Sequence, residues 1–130
     1  MTYREIYNNA LRLAAESDSL GDTSDYEERA AYILASFCSI CLPIDSKYRL
    51  ANNVSKNSAV ISTYVALSDS FPLVDVFAAP ASYYLAAMLV LDENEDMSER
   101  LFAEYTDAIA SIQKDLPTQT KPITDRYGCI

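Results

Sequence analysis

"FAAPASYYLAAMLVLDENEDMSERL", residues 77–101, sets a long uncharged segment directly against a turn crowded with carboxylates. No charged side chain occurs from Val76 to Leu91, and then Asp92, Glu93, Glu95, Asp96 and Glu99 follow almost together. A segment of that length with Pro80 near its start reads as a helix of about residues 81–93, because proline is tolerated in a first turn. A helix apolar on every face belongs at the centre of a bundle or in an interface between subunits. It falls short of the roughly 20 apolar residues that a bilayer requires. "DENED" is then the solvated turn of an αα-hairpin, and its carboxylates cap the helix that follows.

Working outward, the flanking segments repeat apolar residues at three- and four-residue steps, the signature of amphipathic helices. Tyr3, Ile6, Tyr7, Ala10, Leu13 and Ala14 mark a first helix over residues 2–17. A second starts with Ser24 three residues before Glu27, the capping-box spacing, and carries Tyr26, Ala30, Ile33, Phe37 and Ile40 before Pro43 stops it. "DSKYRLANNVS" allows a short helical turn near residues 46–52. The β-branched run "SAVISTYVALS" allows a minor β element within 55–68, which needs a pairing partner, or a packed loop. The last helix begins after Asp96, with Glu99 at capping spacing. It runs through Leu101, Tyr105, Ala108, Ile109, Ile112 and Leu116 to Pro117. The expectation is an all-α fold: a small bundle of four to five helices over residues 1–116, with residues 117–130 as an extended arm. In that arm Pro117 and Pro122 prevent a helix, and Ile123, Tyr127 and Ile130 are spaced as interface anchors.

Composition excludes more chemistry than it suggests. The 130 residues carry a net charge of −9, which disfavours direct binding of nucleic acid or an anionic membrane surface. The opening residues are polar, with no pattern of a leader peptide, and three cysteines suit a reducing compartment better than a disulfide framework. Histidine is absent, which removes Ser-His and Cys-His catalysis and the commonest zinc sites. Two glycines cannot build a phosphate loop. Asp92, Asn94 and Asp96 alternate as in a calcium loop, but that loop needs Gly at its sixth position and Glu at its twelfth, where this chain has Met97 and Ala103. Cys38 and Cys41 form a C-x-x-C near the expected end of the second helix, the wrong end of the dipole for a reactive thiol, and read as core residues. Ser111 and Lys114 match S-x-x-K without the companion motifs of serine–lysine enzymes. No catalytic residue, metal ligand or cofactor is therefore assigned.

Three stretches together resemble small acidic proteins of tailed bacteriophages and prophages: "SDYEERAAYILASFCS", the long run from "ALSDSFPLVDVF" through "DAIASI", and "PITDRYG". The residues that carry the resemblance are Asp69, Phe71, Pro72 and Leu73, then Leu89, Leu91, Asp92 and Glu93, then Phe102 and Tyr105. Such proteins are similar to helical head–tail connector or adaptor subunits, which assemble as rings beneath the portal. The resemblance implies a non-enzymatic structural protein of virion assembly that forms homo-oligomers and contacts neighbouring virion proteins. It implies residence in the cytoplasm of the bacterial host and then in the virion. Ten tyrosines and no tryptophan suit adaptable, partly wet interfaces. A second function class is an acidic protein-binding module or inhibitor that imitates DNA on a basic host protein. An enzyme working through carboxylates alone ranks last.

Overall fold

The computed structural model describes residues 1–15, 25–57 and 65–116. Four α-helices follow in chain order: α1 (Tyr3–Ala15), α2 (Tyr26–Ala51), α3 (Ala78–Val90) and α4 (Glu95–Lys114), with a 3₁₀ turn, Asp75–Phe77, leading into α3. Among the described residues there is no strand, only one isolated antiparallel bridge between Thr2 and Ser70. The fold is a small all-α bundle.

The uncharged helix is its centre. Pro80, Ala81, Ser82, Leu85, Ala86, Ala87, Leu89 and Val90 of α3 are buried, and α3 packs against α1, α2 and α4. Alanine on several faces lets three helices approach one axis closely, while Leu85 and Leu89 fill the space between them. The helix starts three residues earlier than expected, at Ala78, because Asp75–Phe77 already turns the chain and Phe77 is fully buried. It ends at Val90, where the amides of Glu93 and Asn94 both donate to the Val90 carbonyl and close the hairpin. Asn94, rather than Asp96, caps α4: its side-chain oxygen accepts from the Met97 amide at 3.0 Å. Glu95 and Asp96 instead sit in the first turn, beside the positive end of the dipole.

The contacts fix the directions of the helices. Arg29 donates to the Met88 carbonyl at 3.2 Å, Phe37 meets Tyr84 and Tyr48 meets Phe77, so α3 runs antiparallel to α2. The Ser98 hydroxyl donates to the Ala87 carbonyl at 2.8 Å, and Tyr84 contacts Phe102 and Tyr105, so α4 returns antiparallel to α3 and parallel to α2. The start of α1 is tied to the segment before α3: Tyr3 and Arg4 donate from their amides to the carbonyls of Asp69 and Leu67, and Phe71 donates to Met1. That pairing supplies a partner for the end of the β-branched stretch, whose Val65 and Leu67 are buried. Residues 58–64, on which the expectation of a β element mainly rests, lie outside the described residues, as do Ser24 and residues 16 and 17. The described start of α2 has Asp25 at its cap position without a side-chain cap bond.

Two readings of α2 are corrected. Pro43 does not stop it; the helix continues to Ala51, so the turn expected near 46–52 is its last stretch. Proline removes one amide donor and crowds the carbonyl four residues back, a penalty that packing further along the helix can offset. Ile40 is not part of the buried stripe but is 55% exposed, on the same outer side as the exposed Pro43. The helix ends where Asn53 takes a left-handed backbone (φ 55°) and Val54 donates to the Arg49 carbonyl at 2.8 Å. Asparagine is the usual substitute for glycine at such a cap. Because Pro43 is a tolerated cost rather than a terminator, Pro43→Ala should raise unfolding stability by about 1–3 kcal/mol. Urea titration followed by helical circular dichroism measures this, and a loss of stability would contradict it.

Candidate functional site

The continuation of α2 past Pro43 carries Asp45 into the interior, where its side chain is 0% exposed. One carboxylate oxygen accepts from Arg49 Nε at 2.8 Å and from Asn57 Nδ2 at 3.2 Å; the other accepts from the Val74 amide at 2.9 Å. Arg49 also donates to the carbonyls of Ser55 (2.9 Å) and Pro72 (3.1 Å), and Asn57 donates to Pro72 as well (3.1 Å). A carboxylate taken from water is costly unless its oxygens are filled, and here they are. The knot clamps residues 52–57 and 72–74 onto the last turns of α2. Outside it lies a cleft of about 270 Å³, lined by Ser46, Arg49, Leu50, Val54, Lys56 and Asn57.

The outer side of α2 leads into that cleft. From Ala30 to Ile44 there is no charged residue, yet only part of this run is covered. Its inner side, with Leu34, Phe37, Cys38 and Cys41, is buried, while Tyr32 is 51%, Ile40 55% and Leu50 66% exposed. Tyr32, Ser36, Ile40, Pro43, Lys47 and Leu50 follow at steps of three to four and so share one side of the helix. At 1.5 Å per residue this face is about 27 Å long. By length and composition α2 is the one described helix able to cross a membrane, but its inner side packs as a core helix.

The other end of α2 is acidic. The Tyr26 hydroxyl donates to both carboxylate oxygens of Glu93, at 2.7 and 2.8 Å, and so draws the α3–α4 turn against the start of α2. Asp25, Glu27 and Glu28 thereby share one end of the bundle with Asp92, Glu95 and Asp96, all exposed. Glu27 is paired with Arg4 on the surface.

The motifs weighed in the sequence are placed as follows. Cys38 and Cys41 lie in the middle of α2 rather than near its end, because the helix runs on to Ala51; both are buried and unbonded to each other. Burial pushes the Cys38 thiol up to about 11 and the Cys41 thiol up to about 12, so neither is a nucleophile at neutral pH. Ser111 and Lys114 are both exposed on α4. Among the described residues no group of three or more His, Cys, Asp or Glu side chains is gathered in a way that could hold a metal ion. Ile123, Tyr127 and Ile130 lie outside the described residues. Sequence reasoning missed Asp45, Arg49 and Asn57, although the i, i+4 spacing of Asp45 and Arg49 was a signal once the helix is continued through Pro43. It also missed the outer face, because Ile40 had been assigned to the core. No protein-family model, curated protein or solved structure matches this chain.

Removing Asp45 strands the partly buried Arg49, the Val74 amide and one bond of Asn57 at once. Asp45→Ala should therefore lower stability by about 3–5 kcal/mol in urea titration, with Asp45→Asn in between because it keeps an acceptor. A loss below 1 kcal/mol for the alanine variant would show that the knot contributes little.

Alkaline titration has a definite sign. Burial raises the Cys38 and Cys41 thiols from 9.0, and burial followed by the Glu93 hydrogen bond raises the Tyr26 phenol from 10.0 to about 12. In each case the fold favours the protonated, neutral form. This contribution is complete below the unfolded values and is lost as pH rises from about 9 toward 12. The urea midpoint should fall across that window; a rising midpoint would contradict the assignment.

Proposed function

We propose that this chain is a non-catalytic, self-assembling helical subunit of the head–tail connector kind that its sequence resembles, acting in virion assembly. The observation that carries the proposal is the outer face of α2, which is uncharged from Tyr32 to Pro43 and meets its first charge at Lys47. A small acidic protein gains solubility by placing charge on exposed helix faces. Here about four turns of the longest helix present tyrosine, serine, isoleucine and proline instead. Exposed apolar surface organised along one element marks an interaction surface more often than scattered apolar residues do. The buried groups offer no competing chemistry: Asp45 is saturated by its partners and the two described thiols are held protonated.

The acidic end of the bundle supports a second reading, a binding module that docks on a basic protein. In that case the chain is a monomer on its own and its partner contact weakens steeply with salt.

Static light scattering across a concentration series separates the two. Self-assembly predicts a mass above the 14.5 kDa of one chain, reduced toward the monomer by Ile40→Glu, while circular dichroism stays helical. A wild-type protein that remains monomeric throughout the series would overturn the assembly reading.

A further inference from the structure

We infer that the cleft beside Leu50 and Val54 receives the α3–α4 turn of a second copy of this chain, with Leu91 of that copy seated in the cleft and its Asp92, Glu95 and Asp96 set against Lys47 and Lys56. The inference rests on the self-assembly reading and names the contact that would produce it.

The cleft is apolar within and cationic at its rim. Leu50 and Val54 line it and are exposed. Arg49 and Lys56 line it too, no carboxylate does, and the exposed Lys47 follows directly on Ser46 of its wall. Arg49 is engaged by Asp45, whereas Lys47 and Lys56 have no ion-pair partner among the described residues. In a chain of net charge −9 such a local excess of positive charge is the exception. What complements it is an apolar side chain carried among carboxylates.

The α3–α4 turn presents that combination. Leu91 is 48% exposed directly after α3, and the exposed Asp92, Glu95 and Asp96 follow it in the turn and the first residues of α4. The turn is already shaped for docking. The Val90 carbonyl accepts from the amides of Glu93 and Asn94, and the Tyr26 hydroxyl holds the Glu93 carboxylate. A preformed turn gives up little conformational freedom when it binds.

Charge and distance then select the pairing. Two clefts face to face would bring the Lys47 and Lys56 ammonium groups of both copies together, and two turns face to face would oppose their carboxylates. Like charges juxtaposed across an interface are costly, so each surface favours the other kind. The turn cannot fill the cleft of its own subunit. Tyr26 pins it at the start of α2, and from Tyr26 to Leu50 the helix advances about 36 Å. The contact therefore joins two copies and is heterologous, one surface from each. A bundle end about two helix diameters wide, roughly 20 Å, also covers the outer face of α2 from Lys47 back toward Ile40. The cleft and that exposed face then belong to one interface.

Complementary variants of the full-length protein test this. Leu50→Glu spoils the cleft and leaves the turn; Leu91→Lys spoils the turn and leaves the cleft. By static light scattering each alone should be monomeric, with its helical circular dichroism unchanged. Mixed in equal amounts they should form a dimer and nothing larger, because one intact turn meets one intact cleft and the other two surfaces are blocked. Lys56→Glu and Asp92→Lys repeat the test by charge alone at exposed positions, so a folding defect in a leucine variant does not decide the matter. Each should weaken self-association several-fold, and mixing should restore it. A mixture that stays monomeric overturns the inference, as does a single leucine variant that keeps the wild-type mass; wild-type oligomers in either case leave the self-assembly reading standing. Assembly lost with Leu50→Glu but kept with Leu91→Lys would show that the cleft takes another part of the second copy. A wild-type protein that is monomeric throughout would remove both.

Discussion

Taking most of α3 out of water constrains everything else in this bundle. A helix without a charged or strongly polar face has no orientation in which solvent is tolerable, so each of its sides needs a neighbour. The chain supplies α1, α2 and α4 for this purpose, and all three pack against α3. The two helices are mismatched in length, however. At 1.5 Å per residue α2 is about twice as long as α3, so it overhangs the core. The overhang is covered by the segment before α3, and the Asp45 knot holds that segment there, through Val74, Pro72, Ser55 and Asn57. The apolar constraint at the centre thus creates a polar requirement at the edge. The two meet at Phe77, which is buried against Tyr48 just after the clamped residues.

The parts of this arrangement legible in the sequence are those set by local periodicity. The stripes of α1 and α4, the hairpin at residues 91–94 and the centrality of α3 all follow from spacing and charge read within a single segment. The features that were not legible depend on distant partners. Pro43 looks like a stop because the local cost of proline is real, and only the contacts made by Asp45 and Arg49 show why the helix continues. Tyr26 and Glu93 lie far apart in the chain, and nothing local pairs them. The capping of α4 by Asn94 rather than Asp96 is a smaller instance, in which two plausible caps stood side by side and the tight closure at Val90 selected the earlier one.

The outer face of α2 was hidden for a different reason. Its uncharged run is long enough to have an apolar inner side and an uncharged outer side at once, so a stripe drawn through Ile33, Phe37 and Ile40 looks sufficient and absorbs a residue that belongs to the surface. Only burial separates Phe37, at 0% exposure, from Ile40. The same blindness affects the candidate site as a whole: its cleft is made by a helix end and a loop held by Asp45, and neither half is recognisable without the other.

The arrangement of surfaces bears on the kind of assembly that can form. If two copies met through the outer faces of their α2 helices alone, the contact would be isologous and would close as a dimer with nothing left over. A single helix face about 27 Å long also buries little area compared with the roughly 800 Å² per partner of a stable interface.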